Sequence, residues 1–222
     1  MYITIAGGGR IGRGLAKRLV EGKHDVVIID QDKSVCEAIY SEYGAVTING
    51  NATNLDVLEN AGVEQSDIAI AVMRNDSDNL TFALLAKNFE IPNIHVRMND
   101  PKYESVYKSV GVTNIARVSD LLIDQFTVNI ETPELRKVVG LGDLDIVIAN
   151  VPKDALADGT RVKELAEMKG FPQTVVVVCV FEDASGVFTV ARGDTQIHGG
   201  DRLFLCGEPK EVRAVAKMLS KQ

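Results

Sequence analysis

A doubly wound parallel α/β sheet, followed by a second, smaller α+β domain, is the architecture this 222-residue sequence predicts. Three observations predict it. The first 130 residues alternate six short apolar runs with helical patterns. The first run leads into a glycine-rich turn, with an acidic residue placed one strand later. Past residue 130 the alternation stops and hairpin punctuation replaces it.

Tyr2 to Ala6, Asp25 to Ile29, Ala45 to Ile48, Ile68 to Met73, Ile94 to Met98 and Thr113 to Ala116 read as the six strands. They are continuous Val/Ile/Ala runs, as strands covered on both faces require. Thr53 with Asp56 gives a capping-box pattern around Leu55, and Gly62 stands where a left-handed stop belongs. Asp76 or Ser77 can cap the next helix, and Pro101 suits the first turn of the one after it. Strand and helix in strict alternation imply right-handed crossovers, and so a Rossmann-type domain over residues 1–130. A helix at about Ser119 to Ile130 closes it. Its residues Leu121, Leu122, Ile123, Phe126, Val128 and Ile130 exceed one stripe, so more than one face is expected to be buried.

Thr132-Pro133, Gly140 and Gly142 mark residues 131–142 as a linker. Residues 143–222 hold strand patterns at Asp145–Val151, Thr174–Phe181, Val187–Ala191 and Arg202–Cys206. Asp183-Ala184-Ser185-Gly186 reads as a hairpin loop and His198-Gly199-Gly200-Asp201 as a turn. Helices are expected at Arg161–Met168 and Glu208–Leu219. So small an α+β domain has a modest core, which favours docking or dimerisation.

Composition narrows the function classes. With 45% apolar and 25% charged residues the chain is of the soluble globular type. The longest apolar run, Val175 to Phe181, has seven residues, where a membrane span needs roughly 20. No basic leader precedes an apolar stretch, so no signal peptide is expected. Three scattered cysteines, Cys36, Cys179 and Cys206, read as reduced core thiols of a cytosolic protein. A net charge of −7 opposes general nucleic-acid binding.

The chemistry concentrates at Gly7-Gly8-Gly9-Arg10-Ile11-Gly12, which fits G-x-G-x-x-G at Gly7, Gly9 and Gly12. The first glycine permits a tight turn, the second lets a diphosphate approach the backbone, and the third lets the helix pack closely. The helix opening there points free amides at the phosphates. Asp30, 18 residues past Gly12 at the end of the second strand, suits the two ribose hydroxyls and repels a 2′-phosphate. NAD or an adenine nucleotide therefore fits better than NADP. Segments after the third and fourth strands, Asn49 to Thr53 and Met73 to Asp76, should line the same crevice. Arg97 closes the fifth strand, as a surface ion pair or as a phosphate contact. Arg10 leaves the glycine loop toward solvent, a bound phosphate or a neighbouring subunit.

At these residues the sequence resembles the TrkA family of potassium-transport regulators, whose domains are called RCK or KTN. The agreement runs in order through Val27-Ile28-Ile29-Asp30, Gly50-Asn51-Ala52-Thr53, Leu58 to Val63, Asn75 to Leu80 and Val96 to Pro101. It continues in Ala191-Arg192-Gly193-Asp194-Thr195 and Gly199-Gly200-Asp201-Arg202-Leu203. The resemblance implies that Gly7, Gly8, Gly9, Arg10 and Ile11 cradle a diphosphate and that Asp30 holds the ribose. It implies further that Asn51, Ala52, Val72 and Met73 border the adenosine and that Arg97 assists. Arg10 would contact the terminal phosphate of ATP across a dimer. Asn51 stands where the family usually has aspartate, Met73 where threonine is common, and Ala191 where proline is common. Ser119 stands about where some relatives carry a metal-binding glutamate, so no metal site is expected.

A catalytic constellation is not legible. His24, His95 and His198 lack partners at catalytic spacing, and no C-x-x-C, H-E-x-x-H or P-loop pattern occurs. Asp30/Asp32 and Asp76/Asp78 suit ribose contact, turn and helix start better than a general acid–base pair. The expectation is a non-enzymatic regulatory subunit of a potassium uptake system that binds NAD(H) or ATP/ADP. It would form dimers assembling into a ring and dock on a membrane potassium-translocating subunit at the inner face of the membrane, without inserting in it. A small NAD-dependent oxidoreductase and a regulator of another cation or solute transporter are the alternatives.

Overall fold

The computed structural model describes residues 1–131, 135–141 and 143–219. The chain divides into two units, Met1–Leu121 and Leu122–Gln222.

In the first unit β1 (Tyr2–Ala6), β2 (Asp25–Asp30), β3 (Val46–Asn49), β4 (Ile68–Ala71), β5 (Asn93–Met98) and β6 (Asn114–Arg117) alternate with five helices. These are α1 (Arg10–Glu21), α2 (Lys33–Tyr43), α3 (Leu55–Asn60), α4 (Asp76–Asn88) and α5 (Glu104–Val110). All strands pair in parallel, in the order β3-β2-β1-β4-β5-β6. Successive strand residues feed opposite cores. Ile3, Ile5, Val26 and Ile28 pack with Ala16 of α1 and Ile39 of α2. Ala6, Val27 and Ile29 pack with Leu58, Phe82, Ala83 and Tyr107 from α3, α4 and α5. Covering on both faces is why the strands are apolar throughout. The order reverses at β1, between β2 and β4, which opens a crevice at the carboxyl ends of the strands.

Helix starts differ in detail from the sequence pattern. The cap of α3 is Asn54, whose Oδ1 accepts from the Asp56 amide at 2.8 Å, while Thr53 turns back to Asn51. Gly62 takes the expected left-handed conformation (φ 64°) and leads into a short 3₁₀ turn, Val63–Gln65. Neither Asp76 nor Ser77 caps α4; Asn75 holds that position without a side-chain bond. Asp76 is instead buried and accepts from the amides of Asn99 and Asp100 and from the Tyr107 hydroxyl. Burial and the neighbouring Asp76 charge push the Tyr107 phenol well up. Pro101 opens a 3₁₀ turn capped by Asp100 that runs into α5.

A sixth helix, α6 (Val118–Glu131), carries the division between the units. Of its apolar residues only Val128 is buried; Leu121, Leu122, Ile123, Phe126 and Ile130 are exposed, Ile130 at 80%. Among the described residues, burial of more than one face of α6 is therefore absent.

The second unit continues with β7 (Leu135–Leu141), β8 (Leu144–Asn150), α7 (Val162–Glu167), β9 (Val176–Glu182), β10 (Val187–Val190), β11 (Arg202–Gly207) and α8 (Pro209–Leu219). Its sheet is antiparallel, ordered β10-β9-β11-β8-β7. Leu135, Val147, Ala149, Val177, Val180, Leu203 and Leu205 turn one face toward Val212, Val215, Ala216 and Leu219 of α8. Strand β7 corrects the sequence reading, which placed a linker over 131–142. The register of β7 on β8 shifts between Lys137 and Val139, and a bulged strand with Gly140 in it loses the alternation that marks strands. Thr132-Pro133 and Gly142 lie outside the described residues. Asp183–Gly186 does join β9 to β10, with Gly186 at φ 69°, and His198–Asp201 does turn into β11. All three cysteines are free, and burial raises the thiol pKa of Cys36 and Cys179.

Candidate functional site

A cavity of about 370 Å³ opens at the carboxyl ends of β1, β2, β4 and β5. Main chain builds its floor. Gly7 (φ 103°) makes the turn out of β1, a conformation other residues adopt only under strain. Gly12 packs against the Gly7 carbonyl so closely that a Cβ there would collide with it. Gly9 has nothing within 4 Å of where a Cβ would stand, which leaves the space above the loop open. Helix α1 then starts at Arg10 with no side-chain cap and no acid in its first turn. Its leading amides and the positive end of its dipole are thus left for an anion.

Asp30 faces this loop. Its Oδ2 accepts from the Gly8 amide at 2.6 Å and its Oδ1 from the Asp32 amide at 2.8 Å. Each oxygen keeps a lone pair, so the carboxylate is fixed in orientation and can accept from two vicinal hydroxyls. Ala52 and Gly50 border one side and Val72 and Met73 the other. Buried Asn79 sets that second wall: its Oδ1 accepts from the Met73 amide at 2.9 Å, and its Nδ2 donates to the Arg97 carbonyl at 3.0 Å. The ends of β4 and β5 are thereby tied together.

Three arginines line the cavity, Arg10, Arg74 and Arg97. The Arg97 Nε is buried and has no hydrogen-bond partner among the described residues. Asp30 and Asp78 are the acids of the lining, and Asp78 Oδ2 accepts from the Asn75 side-chain Nδ2 at 3.1 Å. Among the described residues no group of three His, Cys, Asp or Glu side chains could hold a metal ion. The Ser119 hydroxyl donates to the Asn99 carbonyl.

Of the residues expected at the site, Gly7, Gly9, Arg10, Ile11, Asp30, Ala52, Val72, Met73 and Arg97 meet in this lining. Gly8 lies behind it, packed toward Val35 and Ile39 and holding Asp30. Asn51 is exposed and outside the lining. Its Oδ1 is occupied by the Thr53 amide and hydroxyl at 2.9 and 2.8 Å. The motif spacing does not reveal Gln31 and Asp78 as lining residues, nor Asn79 as the support of Met73 and Arg97. The signal for Asn79 is in the sequence: it shares helical spacing with Phe82, Ala83 and Ala86, a polar residue in an apolar stripe.

The TrkA-N domain model matches residues 3–118 and the TrkA-C domain model residues 146–220. A Trk system potassium uptake protein TrkA homolog of Archaeoglobus fulgidus is 33% identical over 220 residues, covering 96% of this chain and 48% of that protein. A homolog of Methanothermobacter thermautotrophicus is 26% identical over 218 residues, 98% of each chain. Among solved structures, the GsuK channel superposes with a TM-score of 0.69 at 18% identity, over 99% of this chain and 39% of that one. The chain thus spans about half of the Archaeoglobus relative and less of the channel.

Proposed function

The chain belongs to the TrkA family, and on that premise we propose that it is the cytosolic nucleotide-binding regulatory subunit of a Trk/Ktr-type potassium uptake system. The observation that carries the reading is the polarity of the cavity. A fixed carboxylate, Asp30, stands at one end, and the open glycine loop with three arginines supplies the rest. A ribose joined to a diphosphate is the ligand that uses both. The GsuK channel, a structural neighbour, is described bound to NAD and, separately, to ADP. The cognate ligand in this reading is NAD(H) or ATP/ADP, bound by the nine lining residues expected from the sequence.

Binding without turnover suits the lining. Asp30 and Asp78 are its candidate proton-transfer groups, and among the described residues no His, Cys, Ser, Tyr or Lys joins them. A ligand changes a protein's state only through different affinities for two arrangements. Here it would bridge the strand ends that Asn79 ties together. The exposed apolar side chains of α6 are the surface on which a second copy would pack, giving dimers and then a ring. In this reading ion passage belongs to a separate membrane subunit; no helix among the described residues is long and apolar enough to cross a membrane.

Titration calorimetry of Asp30→Ala tests the site. Loss of a charge-assisted hydrogen bond of about 2 kcal/mol should weaken NADH or ADP about thirtyfold. Asp30→Asn, which keeps the shape, separates ribose contact from loop support. Unchanged affinity in the alanine variant would remove Asp30 from the ribose.

A further inference from the structure

The second unit contains a cavity that the nucleotide reading does not use. It measures about 440 Å³ and is lined by Gln125 and Asn129 of α6, Leu135 and Arg136 of β7, Ile148 and Asn150 of β8, and Arg202 of β11. Strand register explains why these side chains meet. Val147 and Ala149 of β8 face the core, so Ile148 and Asn150 face away from it. Arg136 pairs with Ile148 across β7 and β8, and Arg202 pairs with Asn150 across β11 and β8. Side chains in register share a face, which sets both guanidiniums on the side of the sheet opposite the α8 core. Gln125 and Asn129, four apart in α6, share one side of that helix. Lys137 holds α6 to the sheet, with its Nζ 3.3 Å from Asp124 and 2.9 Å from the buried Asp145.

The chemistry of the lining is one-sided. Among the described residues, two arginines and three carboxamides line the cavity and no carboxylate does. Arg202 is pre-positioned. Its guanidinium lies over the Phe181 ring, 4.4 Å from the centroid, and one terminal nitrogen pairs with Asp183. Its Nε is buried and has no hydrogen-bond partner among the described residues. A stacked guanidinium offers directed hydrogen bonds from its terminal nitrogens to an oxyanion, and carboxamides serve its remaining oxygens.

We propose that this cavity is a binding site for a small, doubly charged oxyanion, the phosphate or dicarboxylate group of a metabolite, separate from the nucleotide cleft. Arg136 and Arg202 supply the charge; Gln125, Asn129 and Asn150 orient the ligand.

Titration calorimetry on the full chain, at fixed ionic strength, with inorganic phosphate and with succinate as probes, tests this. Arg136 and Asn150 are exposed, so Arg136→Gln and Asn150→Asp should fold. Arg10→Gln reports any binding at the glycine loop. The expected result is a saturable component that survives Arg10→Gln, weakens at least tenfold in Arg136→Gln and vanishes in Asn150→Asp. The probe that binds tighter identifies the head group. Hydrogen-exchange protection on probe addition should concentrate in β7, β8 and β11. Binding of neither probe, or binding lost in Arg10→Gln and kept in Arg136→Gln, would overturn the proposal. The nucleotide reading would stand in either case, because it is read from Asp30.

Discussion

In the first unit the cavity is made of main chain: a turn at Gly7, a helix start at Arg10, and a carboxylate held by the amides of Gly8 and Asp32. In the second unit the cavity lies on a sheet face and is made of side chains, Arg136, Asn150 and Arg202 from strands and Gln125 and Asn129 from a helix. The two differ in what disturbs them. A main-chain cradle tolerates changes of neighbouring side chains and fails when a glycine gains a Cβ. A side-chain cavity tolerates backbone-neutral changes and fails when one charge is reversed or screened.

The largest effect should come from Gly12→Ala. Its Cβ would strike the Gly7 carbonyl, and backbone cannot rotate away as a side chain can. A loss of about 3 kcal/mol is expected for the first unit. Urea unfolding followed by probes in each unit should show that transition moving alone, because each unit has its own core. A joint shift of both transitions would mean that the two units unfold as one cooperative body.

Gly9→Ala should separate binding from stability. The new methyl would touch no protein atom within 4 Å, and φ −65° suits alanine, so stability should stay within about 0.5 kcal/mol. ADP affinity should nevertheless fall at least tenfold, since in the proposed site the methyl would stand where the diphosphate comes closest. Full affinity in calorimetry would place the phosphates elsewhere.

The smallest effect concerns pH. Burial holds the His95 imidazole in β5 below the ordinary histidine range. The unfolded chain takes up that proton near pH 6.5 while the folded chain stays neutral to lower pH. Below about pH 6.5 the unfolded state therefore binds more protons, and stability falls as pH drops toward the lowered folded value. His95→Gln should flatten part of this decline when urea midpoints at pH 5 and pH 7 are compared. An unchanged slope would assign the decline to other groups.

Most of the first unit was legible. Doubly covered strands are apolar throughout, and five helices between six such runs leave few topologies. Gly7, Gly9, Gly12 and Asp30 were legible because close approach of backbone demands one residue type at fixed spacing. Asn51 lies outside the lining, because a local bond to Thr53 competes for its oxygen and spacing is blind to that competition. Asp76 reads as a helix start from its neighbours alone; its partners Asn99, Asp100 and Tyr107 lie more than twenty residues away.

The sequence by itself determined the parallel sheet, the glycine cradle and the carboxylate opposite it, because each follows from a local rule about which residue a backbone conformation accepts. The tertiary structure alone decided that residues 135–141 form an edge strand, that Asn79 ties β4 to β5, and that Arg136 and Arg202 share a cavity. Those outcomes depend on strand register. A one-residue slip would turn every side chain of a strand to the other face, and register is set by the packing of the whole sheet.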